Sequence, residues 1–321
     1  MDRNVSEKSW KESLRHHRFD QMIAGILSGG TSTCILHPLD LVKTQFQIQT
    51  IARSEIAAKP WLYTFRHLSQ IYKRFGLRKG LYQGLSANLA GSTASWGLYF
   101  FLYDWTKSFL PSTDAGKLSS GNYFLASSSA AATTVLFTNP LWMIKTRLCL
   151  QNPENPTKSN YRGLFDAFVR ISREEGIRGL YRGLIPGLFG VSHGAIQFMA
   201  YEGLKNYHHE TSKEKHIRQL QVSKEIHRPS NLEYLFMSSS SKVIAMLITY
   251  PYQVVRARLQ ARILENNSFS YKGVLDVIFK TAKREGLWAF YRGIIPSTFR
   301  VLPGTCITFI VYEKVSEYLK N

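Results

Sequence analysis

The residues whose types and spacing could do chemistry are charges arranged around three prolines. Pro38 is followed by Asp40 and Lys43, Pro140 by Trp142 and Lys145, and Pro251 by Gln253 and Arg256. A base thus stands five residues after each proline, and an acid or its replacement stands two after. The three frames recur about a hundred residues apart, which marks an internal repeat and fixes the architecture before any single element is assigned. Each proline lies near the end of a long uncharged run. Ionisable groups at such a place are costly unless they pair with one another or face water. Asp40, Lys43, Lys145 and Arg256 therefore read as one charged layer that closes a pathway. Packing with plain satisfaction of structural charge is the other reading. Arg300 is the second candidate. It is the only full charge between Gly293 and Tyr312, and a guanidinium can grip a carboxylate or phosphate with two parallel bonds.

The elements that must position these groups are long and apolar. Gln21–Leu39, Leu85–Tyr103, Leu118–Ile144 and Gly183–Tyr201 contain no Asp, Glu, Lys or Arg; the run from Tyr234 is broken only by Lys242. A helix needs about 20 mostly apolar residues to cross a bilayer, so six candidate spans exist, two per repeat. The first, third and fifth should kink at Pro38, Pro140 and Pro251, where a backbone hydrogen bond is lost. Between spans, Leu62, Phe65, Leu68, Ile71 and Phe75 keep helical spacing in a basic setting, as do Leu164, Phe165, Phe168 and Ile171. Such stretches suit short helices lying along a membrane surface. The division expected is a mobile polar lead over 1–18, repeats over 19–112, 118–208 and 231–321, and a polar inter-repeat loop over 209–230.

Bulk properties narrow the function. Lys and Arg number 41 against 22 acids, a net charge of +19. That balance suits nucleic acid or an anionic membrane surface. No RNA-binding or zinc motif accompanies it, and the uncharged runs speak against a nucleic-acid binder. Cys34, Cys149 and Cys306 lack metal-ligand spacing. No nucleophile–base set is visible, so no enzyme, cofactor or metal is expected. The mean hydropathy of −0.17 looks soluble, because the polar connections offset the apolar runs.

The three proline frames, with Glu175-Gly176 to Tyr181-Arg182-Gly183 and Glu285-Gly286 to Tyr291-Arg292-Gly293, resemble the mitochondrial carrier family over nearly the whole chain. Phe75 replaces the acid of that second motif in repeat one. Pro140-Leu141-Trp142, Ser95-Trp96-Gly97-Leu98-Tyr99-Phe100-Phe101, the stretch Gly187–Ala195 and Pro251–Arg256 are similar to the folate/FAD carriers within it. The resemblance implies an all-α membrane protein: six transmembrane helices in a threefold pseudosymmetric bundle, with three short matrix-side amphipathic helices. It also implies the mitochondrial inner membrane, no cleavable presequence, both termini on the intermembrane-space side, and a functional monomer. The function it implies is movement of FAD, folate or a related anion by alternating access. Another nucleotide-type cargo (NAD, a pyrimidine nucleotide, coenzyme A) and a non-transporting adaptor are the alternatives.

The resemblance also implies roles. Asp40 would pair with Lys145 in a matrix gate, Lys43 would face Gln253, and Arg256 would face Trp142, with Gln47 and Gln260 bracing the layer. A charge pair at about 4 Å in an effective dielectric of 20 gains about 4 kcal/mol before desolvation, so a gate keeping one pair of three would be shallow. A cytosolic gate would comprise Asp104, Lys107, Glu202, Lys205 and Glu313. Gly91, Gly190 with Val191, and Arg300 match the family's contact positions. Trp142 could stack on the cargo's ring or simply pack. Trp96, His193 and Gln197 complete the candidate cavity lining. Helix starts at Gly84, Gly163, Gly183, Gly273 and Gly293 offer free N–H groups to phosphate, which makes cardiolipin a candidate partner.

Overall fold

The computed structural model describes residues 2–48, 60–111, 120–151, 160–218, 231–261 and 271–320. Those residues are helical with short turns, and no strand occurs among them. Each third has one plan. A long helix carries the proline: α1 (Asp2–Ile48), α4 (Ser120–Leu150) and α9 (Asn231–Gln260). A short, strongly amphipathic helix follows: α2 (Pro60–Gly76), α5 (Leu164–Glu174) and α10 (Val274–Glu285). A turn then leads into the second long helix. The turn is Leu77–Leu81 in the first third, the short helix α6 (Gly176–Leu180) in the second and Leu287–Tyr291 in the last. The second long helices are α3 (Leu85–Phe109), the pair α7 (Leu184–Phe189) and α8 (Val191–Arg218), and α11 (Ile294–Lys320).

The helices close into a ring. α1 packs on α11 and α3, α4 on α3, α7 and α8, and α9 on α7, α8 and α11. The proline helices α1, α4 and α9 also meet one another, which gathers their frames. The distribution of side chains is that of a barrel wet inside and oily outside. His37, Asn139, Thr138 and Ser241 are buried, whereas Phe101, Phe198 and Phe236 are exposed on the outer surface. Three buried threonine hydroxyls satisfy themselves on their own helices; Thr134, Thr138 and Thr249 each donate to the carbonyl four residues back.

Three expectations are corrected. The helix α1 continues back through the polar lead to Asp2, a stretch with no Gly or Pro to interrupt it. The helix α8 runs on to Arg218, into the segment expected as loop, because residues 208–218 also lack Gly and Pro and are rich in Glu and Lys; residues 219–230 lie outside the described ones. The fourth span is two helices broken at Gly190. Only one stretch among the described residues, Leu287–Tyr318, is long and apolar enough by itself to cross a bilayer, at mean hydropathy 1.5. The other long helices carry many Ser, Thr, Asn and Gly residues, and α1 and α8 also carry charged residues over one end.

Candidate functional site

The proline frames converge on a cavity of about 300 Å³. Lys43, Lys145, Arg256 and Arg300 line it, and Asp40 is the one acid among its lining residues. Asp40 does not pair with Lys145. Its carboxylate takes the Arg300 guanidinium at 3.0 Å and an amide hydrogen from Asn88 at 3.4 Å. Lys145 instead donates to Thr44 Oγ1 at 3.2 Å. The correction has a simple cause: α11 lies directly against α1, and the longer, forked Arg300 side chain reaches the carboxylate from there. Lys43 donates to Gln253 Oε1 at 3.2 Å and stands 5.9 Å from the Tyr250 ring. Arg256 has no ion pair among the described residues, and its Nε is buried without a partner.

Trp142 lines the same cavity, and its indole N–H donates to Ser95 Oγ at 3.1 Å. A Cβ built on Gly91 would sit 3.5 Å from the indole. Gly91 is therefore covered by Trp142, and the room it leaves is taken by this protein's own ring. Gly190 sits at the break between α7 and α8, where a Cβ would lie 2.7 Å from the Gly187 carbonyl and 3.4 Å from the Tyr252 hydroxyl. Tyr252, which sequence reasoning passed over, lines the cavity; Val191 opens α8 beside it.

Three candidates for the lining are elsewhere. Trp96 is 64% exposed and stacks on Phe100 with centroids 5.8 Å apart. His193 Nδ1 is 2.8 Å from Thr249 Oγ1, whose own proton goes to the Ala245 carbonyl; the ring therefore donates and ties α8 to α9. Gln197 lines neither this cavity nor a second one of about 390 Å³ between α1, α9 and α11. Arg300 and Thr33 border both cavities.

Below the charged layer, three interactions link the ends of the proline helices in a cycle. Gln45 donates to the Cys149 carbonyl at 3.2 Å, Arg147 to the Gln260 carbonyl at 3.2 Å, and Arg258 to the Gln47 carbonyl at 3.1 Å. Arg147 also holds Glu175 with two bonds of 2.5 and 2.8 Å, and Arg258 holds Glu285 at 2.7 and 2.9 Å; Arg292 joins Glu285 and Arg182 joins Glu175. Repeat one has Gln45 and Phe75 instead, and there His67 is bonded to Gln45 at 2.9 Å. Sequence reasoning missed these arginines, although Arg147 and Arg258 each stand two residues past the frame's base. Gln260 Oε1 accepts from Thr146 at 3.0 Å, while the amide nitrogens of Gln47 and Gln260 are buried without partners.

At the opposite end the expected gate residues are apart. Glu202 meets Lys205 of its own helix at 3.8 Å, and Lys107 lies against the Tyr103 and Tyr123 rings. Asp104 and Glu313 are exposed, and no ion pair joins these five across helices among the described residues. Glu202 takes the lysine one turn away on its own helix, and Lys107 takes the aromatic faces of Tyr103 and Tyr123, so neither is engaged by an acid or base of another helix among the described residues.

The glycines expected at lipid sites also do other work. Gly84, Gly183 and Gly293 have φ of 81°, 80° and 83°, and a Cβ on them would meet Cys149 Sγ at 3.0 Å, Gln260 Cγ at 2.9 Å and the Lys43 carbonyl at 2.9 Å. Each lets the next repeat's proline helix come close. At Gly163 and Gly273 the neighbouring N–H groups of Arg162 and Lys272 are already taken by Asp166 and Asp276, at 2.8 and 2.9 Å.

The comparison with known families decides the class of protein. The model of the mitochondrial carrier protein family matches residues 15–114, 116–212 and 227–321. This chain belongs to the mitochondrial carrier protein family. It is a solute transporter of that family and not an enzyme, as the family and its named relatives are transporters. The carrier is 41% identical to folate transporter 1, chloroplastic, of Arabidopsis thaliana, over 95% of this chain and 96% of the relative. It is 40% identical to nicotinamide adenine dinucleotide transporter 1, chloroplastic, of the same plant, over 92% and 90%. It is 30% identical to the mitochondrial FAD carrier protein FLX1 of Saccharomyces cerevisiae, over 93% and 96%.

Proposed function

We propose that this carrier moves FAD, folate or a related flavin or pterin anion across the mitochondrial inner membrane. The observation that carries the reading is the charge of the cavity: four cations line it against one carboxylate, and that carboxylate is held by one of the four. An uncompensated cluster of this kind in a spanning region favours a cargo with two or more negative groups. Trp142 and Tyr252 supply aromatic faces on the same walls, where a planar heterocycle could stack for about 0.5–1.5 kcal/mol. The cargo would enter from the side where Asp104, Lys107, Glu202, Lys205 and Glu313 are apart. The layer of Asp40, Lys43, Lys145, Gln253 and Arg256, with Gln47 and Gln260 beneath it, would be the closed matrix gate. Binding at Arg300 would compete with Asp40 and loosen that layer. On this reading the six long helices span the membrane, α2, α5 and α10 lie at its matrix face, both termini face the intermembrane space, and the protein works as a monomer beside cardiolipin. A second reading, NAD as cargo, is favoured by the 40% identical relative.

Uptake of labelled FAD, tetrahydrofolate and NAD into proteoliposomes holding the whole chain separates these. Uptake of NAD alone favours the second reading, and uptake of none favours an adaptor. Arg300→Ala is expected to reduce FAD uptake about a hundredfold, the cost of losing one strong charge-assisted contact, while the protein still inserts. Uptake at the wild-type rate would remove Arg300 from the site.

A further inference from the structure

His37 is the residue before the first proline, and it is fully buried between α1 and the turn that precedes α3. Its Nε2 is 3.0 Å from the Gln83 carbonyl. A carbonyl only accepts, so the ring proton is on Nε2 and Nδ1 holds a lone pair. Asn88 Nδ2 lies 3.2 Å from that lone pair and 3.4 Å from Asp40 Oδ2. The amide NH2 of Asn88 is thus turned toward His37 and Asp40 together. Asp40 Oδ2 is also the atom that receives Arg300 at 3.0 Å. A chain of contacts therefore runs from Gln83 through His37, Asn88 and Asp40 to Arg300, crossing α1, α3 and α11.

The other thirds show which part of this is structural. In repeat two the residue before the proline is Asn139, whose Nδ2 donates to the Leu180 carbonyl at 3.0 Å. It anchors the proline helix to the following turn, as His37 does. In repeat three that position is Tyr250, which stacks on Tyr291 at 6.3 Å. Anchoring needs no imidazole, since an amide does it in repeat two. The imidazole adds a second nitrogen that fixes the direction of Asn88.

We propose that His37 and Asn88 are positioning residues for transport, and that they set how Asp40 shares Arg300 with the cargo. With His37 neutral, Asn88 must donate, and part of the negative charge of Asp40 is spent on it. A proton on Nδ1 would turn a donor toward a donor. Asn88 would then rotate its oxygen to the ring and withdraw its NH2 from Asp40, leaving the carboxylate to hold Arg300 alone. The charged and titratable groups facing His37 are Asp40 on its own helix, Lys145 on α4 and Tyr82, whose ring stacks on it at 6.0 Å. The switch rests on the cargo reading above only through Arg300.

The test uses the full chain in proteoliposomes, with FAD, tetrahydrofolate and NAD as probes from about pH 5.5 to 7.5, the range in which histidine titrates. Wild-type uptake of the transported probe is expected to fall about tenfold toward the acid end. His37→Asn, which copies the chain's own second repeat, is expected to lose that limb. Asn88→Ala is expected to raise KM about tenfold at neutral pH, as loss of a hydrogen bond to a charged group does, and to lose the limb as well. An acid limb that persists in His37→Asn, or an unchanged KM in Asn88→Ala, overturns the proposal. If the wild type carries none of the probes, the cargo reading falls by itself. The couple is then read from thermal unfolding of the purified protein: the acid-dependent loss of Tm that His37→Asn removes must be absent in the Asn88→Ala background, and additive effects overturn it.

Discussion

Arg300 and Asp40 show what a single contact changes. The acid of the first frame is engaged from the neighbouring helix α11 by an arginine of the last repeat, so the cavity's one carboxylate and the cargo's proposed grip are the same pair. On the proposed function, opening the gate and binding the anion would become one exchange of partners, which is how a cargo can shift an equilibrium by its differential affinity for two states. Trp142 is the second residue of consequence. It stands where an acid stood in the first frame, covers Gly91 and is fixed by Ser95. Trp142→Ala is expected to weaken FAD uptake about two- to tenfold, the value of one stacked ring, and to leave a small inorganic anion, if carried, unaffected. Equal losses for both would show that the ring only packs.

At the scale of elements, the three repeats are alike in plan and unequal in strength. Repeats two and three tie the proline helix to the short surface helix through a buried arginine held by a glutamate with two bonds. Glu285 is buried and is shared by Arg258 and Arg292. Removing one partner of such a pair strands the other and costs about 3–5 kcal/mol; Glu285→Ala is therefore expected to lower Tm strongly in a thermal unfolding assay, and a shift no larger than that of an exposed substitution would sink the idea. Repeat one has a neutral bond between His67 and Gln45 instead. Burial pushes the His67 imidazole below its ordinary value, so the unfolded chain binds the proton more readily than the folded one. Stability contributed here is complete at high pH and is lost as pH falls below about 6.5, the unfolded value. His67→Gln is expected to flatten the acid side of the Tm profile. An unchanged slope would place that dependence at another group.

At the scale of the molecule, the bundle is built inside out relative to a soluble protein. Hydroxyls, amides and the charges of the proline frames face inward, and phenylalanines such as Phe101, Phe198 and Phe236 face outward. The cyclic ties Gln45 to Cys149, Arg147 to Gln260 and Arg258 to Gln47 close one end, and nothing of that kind closes the other among the described residues. A ligand that binds the folded cavity alone raises stability by about 2.7 kcal/mol at a hundred times its Kd. FAD at saturating concentration is expected to raise Tm, and riboflavin, which has the ring without the phosphates, is expected to raise it less. Equal shifts would mean that the four cations do not read the cargo's charge.

Periodicity and spacing were enough to place the long apolar segments, three proline frames and the triplication, because those depend on interactions within one element or on recurrence along the chain, though not the break of the fourth segment at Gly190. They also singled out Arg300, since an isolated charge in an apolar run must have a partner or a cavity. They did not reveal that its partner is Asp40, that Gly91 lies beneath Trp142, or that His37 and Asn88 join the network. Those depend on which helices stand side by side and on the length and fork of each side chain. Only the packed bundle sets these distances, because a hydrogen bond between residues 260 positions apart leaves no trace in local pattern.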